Sequence, residues 1–386
     1  MSSTFWDVVT VGAGPAGGMA ASLLSERGWR VLMVDRFHFP RDKTCGGCVN
    51  AAGVSVLREA GLLAVLAGGQ LLDQFDLNVM GQRISVPLPR SYSIARSELD
   101  HRLAIEARTR GCKFAQGVSA VLLPGGDSDK FRQLKLRSGK EEAVVSAGVV
   151  LACDGINGAL LDGEPGAGWV IARDAWFGAS LTLDAGVISP RRGAIEMNVG
   201  NGGYAGLVQL GDGRVHIGAA LESARCQAVG GPVQLIELIL KQCKRDFGGL
   251  INAAKLHGTG RLTRKRNKLG GRRVLAVGDA CGYIEPFTGE GIAWALGAAK
   301  AVADLLPWRG TDWPAGLADF WTKSHGATIG RRQWMCRALR QIARRPELAA
   351  GGVAVARMFP AIPAGVARTI GRPAARFSER VEGVFS

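Results

Sequence analysis

Apolar residues fall along this chain in two kinds of run. Phe5 to Val11 (FWDVVTV), Trp29 to Val34 (WRVLMV) and Arg273 to Val277 (RVLAV) are short, nearly unbroken and closed by glycine or aspartate. Such runs predict strands buried on both faces. Phe131 to Leu136 and Glu142 to Ala152 predict two more. Ala16 to Arg27, Ser97 to Arg110 and Gly291 to Leu305 carry helical patterns; in the second, Leu99, Leu103 and Ile105 are the apolar positions. Leu71 to Pro89 and Gly168 to Ala220 alternate and turn in a β manner, and Gly125-Gly126-Asp127 and Pro190 to Gly193 read as turns. This order predicts an α/β domain assembled from residues 1–70, 95–165 and 270–305. A mostly β domain from residues 71–94 and 166–269 interrupts it twice, and a helical segment over residues 306–386 follows.

With 386 residues, 47% apolar and 21% charged, the chain has ample material for a core and is not disordered. No uninterrupted apolar run reaches about 18 residues, so no spanning helix is expected. The N-terminus opens straight into a strand pattern, without the regions of a signal peptide. Eight scattered cysteines then read as reduced cytoplasmic thiols and not as a disulfide framework. The formal charge is +15 and uneven: residues 323–386 hold Lys323 and eleven arginines against Glu347, Glu379 and Glu382, a net +9. That excess fits a generally basic surface or an anionic partner, nucleic acid or a membrane face.

Two glycine-rich turns carry the chemistry. Gly12-Ala13-Gly14-Pro15-Ala16-Gly17 follows a predicted strand, opens a predicted helix, and is followed by Asp35, 23 residues after Gly12. In a βαβ unit Gly12 permits the tight turn, Gly14 lets a pyrophosphate approach the backbone, and Gly17 lets the helix lie on the strand. The helix N-terminus offers N–H groups to phosphate, and Asp35 can accept from ribose hydroxyls. The second turn runs from Val274 through Gly278, Asp279 and Ala280 to Pro286-Phe287-Thr288-Gly289-Glu290-Gly291-Ile292. Asp279 follows a strand end, where its carboxylate can bind hydroxyls of a ribityl chain. Gly289 and Gly291 precede a helix whose N-terminus can face a flavin's pyrimidine edge and stabilise the reduced anion. A nicotinamide-only domain needs no such second site, so the pair points to FAD.

These segments, with Phe39-Pro40-Arg41-Asp42-Lys43-Thr44-Cys45-Gly46-Gly47, Arg96 in Ile94 to Asp100, and Asp154-Gly155, resemble the flavoprotein superfamily of aromatic hydroxylases, geranylgeranyl reductases and flavin halogenases. They span about residues 5–305. The resemblance implies a glutathione-reductase-like Rossmann FAD domain with an inserted antiparallel substrate domain. It implies Arg96 at the FAD diphosphate, Arg41 near the flavin and ribityl end, Asp154-Gly155 at the pyrophosphate, Val118 near adenine and Cys45 near the isoalloxazine. Ala13, Pro15, Ala16, Arg36, Pro286 and Ile292 complete the implied cofactor set. The family's Asp-Gly segment continues to a serine and a nearby arginine; here Ile156 to Leu160 has neither, so no docking place for a nicotinamide donor is read.

The F-P-R-x-K-x-C-G-G and P-F-T-G-E-G-I segments lean toward the reductase and halogenase branch. Only Tyr204 remains of the aromatic-rich Y-x-W-x-F-P segment of lipid-reducing relatives, and no tryptophans make the W-x-W-x-I-P of halogenases. Gly202-Gly203-Tyr204 with Gly211 to His216 resembles hydroxylases found with type III polyketide synthases, which act on long-alkyl phenols. The expected function is therefore hydroxylation of a lipophilic phenol- or resorcinol-like ring with FAD, NADH or NADPH, and oxygen. The alternatives are reduction of isoprenoid double bonds and, disfavoured, halogenation. Candidates for a catalytic part are Cys45, Tyr204 and His216. Cys45 and Cys48 read as passive thiols beside the cofactor in preference to a redox pair or half a zinc site. The five histidines form no metal-ligand spacing, so no metal is expected, and the lack of G-x-S-x-G and Walker A sequences argues against hydrolase and P-loop chemistry.

In the C-terminal segment Trp334, Met335, Ala338, Leu339 and Ile342 recur at three- and four-residue steps, beside Arg331, Arg332, Arg337, Arg340, Arg344 and Arg345. The commoner arrangement packs the apolar face of such a helix on its own protein and shows arginine to water. The alternative lays it in an anionic headgroup layer. No recognition module for nucleic acid accompanies it. We expect a cytoplasmic protein taking a lipophilic small molecule, with the inner face of a membrane as partner on the second arrangement.

Overall fold

The computed structural model describes residues 4–124, 130–186, 190–285, 287, 289–306 and 313–358. The expected turn at Gly125-Gly126-Asp127, Pro286 and the chain beyond 358 lie outside the described residues, as do the side chains of Arg331, Arg332, Trp334, Met335 and Leu339.

β1 (Thr4–Val11), α1 (Pro15–Glu26) and β2 (Val31–Asp35) form the first βαβ unit. β3 (Cys48–Val49) and α2 (Ala51–Glu59) lead to a long hairpin of β4 (Gln70–Val79) and β5 (Gln82–Ser93). α3 (Arg96–Thr109), β6 (Lys113–Gln116), β7 (Ser119–Leu122), β8 (Arg132–Ser138) and β9 (Glu141–Ala152) return the chain to the first layer. A second excursion runs through β10 (Trp169–Ile171), β11 (Phe177–Leu183), β12 (Ala194–Gly200), β13 (Gly203–Gln209) and β14 (Val215–Leu221). It continues through α4 (Ser223–Ala228), α5 (Pro232–Gln242), β15 (His257–Arg261) and β16 (Arg264–Arg266). β17 (Gly270–Gly271), β18 (Val274–Ala276), β19 (Gly282–Tyr283) and α6 (Gly291–Leu305) come next, before α7 (Leu317–His325), α8 (Arg331–Ala343) and α9 (Pro346–Met358).

The first sheet has the order β17-β18-β9-β1-β2-β6, with β8 and β7 continuing along β9. β1 is parallel to both β2 and β9, and β18 is parallel to β9. Val8 to Val11 and Val31 to Val34 are buried, which is why these strands read as continuous apolar runs. α1 lies against α3 and α6. It does so closely because its residues are small: a Cβ on Gly18 would stand 2.9 Å from the Leu103 Cβ.

The second sheet has the order β15-β11-β14-β13-β12-β4-β5-β3. It is antiparallel except where the two insertions meet, since β12 runs parallel to β4. β3 pairs with β5, so this sheet also draws on residues that the apolar pattern assigned to the first domain. A two-residue strand is too short to show an alternation. Leu235, Ile236, Ile239 and Leu240 of α5 cover one face, and β10, β16 and β19 form a small third sheet.

Trp321 of α7 is fully buried and donates to the Ala276 carbonyl at 2.9 Å, which ties the C-terminal helices to β18. His325 meets its ring edge-on, and burial pushes the His325 imidazole down to about 4. The native state therefore holds it neutral, whereas the unfolded chain binds a proton below about pH 6.5. This contribution to stability is complete above that value and is lost as pH falls toward the native one, by about 2 kcal/mol near pH 5. Urea melts near neutrality and near pH 5 should show this loss, and His325→Phe should reduce it. Among the described residues no helix is long and apolar enough to cross a membrane.

Candidate active site

The two glycine-rich turns, far apart in sequence, meet on one elongated cleft. Gly12 sits at φ +103, and a Cβ there would lie 2.3 Å from the Cys153 carbonyl oxygen. A Cβ on Gly17 would stand 1.7 Å from the Gly12 carbonyl oxygen, so helix and strand are in direct contact there. Gly14 differs: its backbone is extended, and the nearest atoms to a Cβ are Arg96 Nη2 at 3.6 Å and Asp100 Oδ2 at 3.9 Å. No side chain caps α1 at Gly14 or α6 at Glu290, so both N-termini keep N–H groups for another acceptor. Gly14, Pro15 and Ala16 of the first turn and Gly289, Gly291 and Ile292 of the second line the same cavity.

One end of the cleft opens into a cavity of about 590 Å³ bordered by Asp35, Arg36, Arg41 and Val118. Asp35 accepts from the Ala13 N–H at 2.9 Å and the Phe37 N–H at 3.0 Å. The resemblance implied Arg41 at the flavin end. It stands at this opposite end instead, 3.5 Å from Asp35 and over the Phe37 and Phe39 rings. A carboxylate and two aromatic faces draw the loop back over β2. Asp154 borders the same cavity but turns toward its own loop, where it accepts from the Leu160 N–H at 2.9 Å. Burial pushes its carboxyl up. Gly155, at φ +79, keeps the chain clear of Lys43 Nζ, which would be 3.1 Å from a Cβ there.

Gly14, Lys43, Cys153 and Ile156 border both this cavity and the next, forming a neck between them. The role of Lys43 was not legible in the sequence, because a lysine in a loop does not reveal where it points. Here burial, and then the Arg96 charge, push its ammonium down, while Asp279 pulls it up. Among the described residues it makes no ion pair. Arg96, the first residue of α3, grips the buried Asp100 with two hydrogen bonds, Nε at 2.9 Å and Nη2 at 2.7 Å. Burial works against its charge, but Asp100 more than restores it. Asp279 faces these two cations; burial raises its carboxyl, and Lys43 and then Arg96 pull it back. Gly278, at φ +67, brings this loop against Ala16, 2.8 Å from a Cβ.

Beyond the neck the cleft runs along the second sheet between Phe75, Ile195, Met197, Tyr204, Val208 and Phe287. Tyr204 meets Phe287 edge-on at 5.1 Å, and burial pushes its phenol well up. Cys45 and Cys48 line this side and are both free thiols. Burial and then Cys45 push the Cys48 thiol up to about 12, so it is no ready thiolate. His216 Nε2 lies 2.8 Å from the Cys45 carbonyl. A carbonyl only accepts, so that ring nitrogen carries the proton, and Nδ1 accepts from the Thr182 hydroxyl at 3.0 Å. Burial, the largest influence, holds the ring's pKa down. His216 is thus a bridge from β14 to the Cys45 loop, with both nitrogens engaged, and the structure does not place it on the cavity as a proton-transfer group.

These residues fit an FAD molecule. Two uncapped helix N-termini and the open face of Gly14 would receive the phosphates and the flavin, with Asp35 at the ribose end and Asp279 beside the ribityl chain. Asp279→Ala is expected to weaken FAD retention by roughly 1.5–3 kcal/mol; equilibrium titration of the apoprotein measures it.

Comparison with known proteins agrees. Residues 6–162 match the FAD binding domain family. Menaquinone reductase of Mycobacterium tuberculosis is 28% identical over 84% of this chain and 82% of its own. Digeranylgeranylglycerophospholipid reductase 2 of Methanothermobacter thermautotrophicus is 26% identical over 78% and 77%. Among solved structures, the flavin-dependent brominase Bmp2 superposes with a TM-score of 0.75 at 17% identity, over 95% of this chain and 94% of that one. The chain carries an FAD binding domain over residues 6–162, and these likenesses are those of an FAD-dependent oxidoreductase.

Proposed function

We propose that the protein is an FAD-dependent reductase that saturates carbon–carbon double bonds in the prenyl chain of a lipid. The observation that supports this reading is the wall on the sheet side of the cleft. Phe75, Ile195, Met197, Val208 and Phe287 are apolar, and burial pushes the phenol of Tyr204 between them well up, so it stays protonated. Hydroxylation of a phenol gains from a base that activates the ring, and His216 has no nitrogen free for it. Saturating an alkene needs an apolar slot, a hydride and one proton. Bound FAD, once reduced, supplies the hydride. The Cys45 thiol, on the loop that His216 holds through the Cys45 carbonyl, is the proposed proton source for the adjoining carbon. The names of the relatives, which speak of menaquinone and of a digeranylgeranyl lipid, support reduction and a lipid substrate. NADH or NADPH is the proposed electron donor; bleaching of the flavin on anaerobic titration with each distinguishes them.

Cys45→Ser is expected to keep FAD and to lose about a hundredfold in turnover. Cys48→Ser, at a thiol that stays protonated, should stay near the parent rate. The test of the reading is the product mass from a prenyl lipid incubated with donor with and without oxygen. A gain of two hydrogen atoms without oxygen supports reduction. The second reading, hydroxylation, has in its favour the Tyr204–Phe287 pair, which suits an aromatic ring. An oxygen-dependent gain of one oxygen atom on a long-alkyl phenol, with no reduced prenyl product, would replace the first reading by the second.

A further inference from the structure

Helix α8 is turned the opposite way from the commoner arrangement of an amphipathic helix. Arg340 and Arg344 face inward: Arg340 pairs with the buried Glu285 at 3.2 Å and also with Asp174, and Arg344 pairs with Asp174 at 2.8 Å and lies over the Trp176 ring. Cys336 and Ala343 are buried on the same face, whereas Ala338 and Ile342 point outward. Helix α9 turns Ala349 and Val353 inward and Leu348 and Val355 outward. Among the described residues, three of the four most exposed large apolar side chains fall in this short stretch: Leu348 at 67%, Val355 at 56% and Ile342 at 52%. An apolar cluster of this kind, left uncovered at one place, marks an interaction surface. Exposed Arg337, Arg345 and Arg357 accompany it, with Glu347 as the one acid carried by these two helices.

The position of the patch gives it meaning. Ala343, Ala349 and Val353 pack in one cluster with Met197, Tyr204 and Phe287, which line the substrate side of the cleft. The outer face of α8 and α9 is therefore the far side of the substrate wall. We propose that this face docks on an anionic lipid bilayer, which would hold the substrate side of the cleft close to a lipid substrate; the second clause rests on the reductase reading, the first does not. Apolar side chains at the centre with arginine beside them match the headgroup layer in both its parts. A second copy of the chain fits less well, because a two-fold contact would set like-charged arginines against one another. Arg340 and Arg344, spent on Asp174 and Glu285, hold the helix in this orientation and are not counted among the docking charges.

Co-sedimentation of the FAD-loaded protein with phosphatidylglycerol-containing vesicles and with pure phosphatidylcholine vesicles, at low and high salt, tests the proposal. Binding is expected on the anionic vesicles and should fall at high salt. Arg337→Gln and Arg345→Gln should each lower partitioning by about fivefold. Ile342→Glu with Leu348→Glu, at exposed positions, should lower it by about tenfold or more with unchanged FAD content and melting temperature. Absent binding to anionic vesicles, binding indifferent to lipid charge and salt, or binding unaffected by the double variant would each overturn the proposal. So would light scattering that shows a dimer which the double variant separates, since the face would then belong to a second copy. The assay involves no turnover, so its failure leaves the reductase reading standing, and the product-mass experiment can fail while docking holds.

Discussion

Gly14→Val is expected to purify folded and without FAD. The glycine's backbone is extended and open to any residue, and a Cβ would meet only Arg96 and Asp100 at ordinary contact distances. A valine side chain therefore fits the protein, but it fills the space in which the pyrophosphate would approach the N-terminus of α1. Neighbouring glycines respond differently. A methyl group on Gly17 would run into the Gly12 carbonyl, so Gly17→Ala should fail at folding. The flavin absorbance of the purified protein, beside its melting temperature, separates the two. A Gly14→Val protein that melts like the parent and remains fully yellow would move the phosphate site elsewhere.

Arg96→Leu is expected to cost both stability and cofactor. Asp100 is fully buried, and Arg96 is its ion-pair partner. Removing one member of a buried pair costs about 3–5 kcal/mol, because the other charge is left unpaired. A guanidinium so placed also lies beside Gly14, where phosphate would sit, and pairs with phosphate in a fork. The double variant Arg96→Leu, Asp100→Leu removes the orphaned charge and should recover most of the stability by urea melt. It should not recover FAD affinity. Recovery of both would reduce Arg96 to a structural partner of Asp100.

What could be read from the sequence was local. Gly12 to Gly17 with Asp35, and Gly278 to Ile292, are turns whose residue types are dictated within one strand–turn–helix unit, so their place in the fold follows from their own spacing. Lys43 and Arg41 lie two residues apart in a loop, and only the folded path shows one at the neck and the other at the ribose end. Alternation predicted the second sheet but not the parallel joint of β4 and β12, since a period of two is blind to strand direction. The helical period of α8 marked out two faces. Which of them turns inward is decided by Asp174 and Glu285, distant in the chain, whose charges make it favourable to bury arginine. The sequence likewise offers His216 as a proton-transfer group, but the Cys45 carbonyl, 171 residues away, occupies its Nε2.

The proposed function is reduction of a prenyl-lipid alkene, with FAD held in this cleft as the hydride source. It is tested most directly by reducing the enzyme-bound flavin under strict anaerobiosis, removing the donor, and adding a prenylated lipid while the flavin spectrum is followed. The oxidised spectrum should return without oxygen, at a rate that rises with lipid concentration and is slowed by Cys45→Ser. A flavin that stays reduced with the lipid present, and reoxidises only when oxygen is admitted, would contradict the claim.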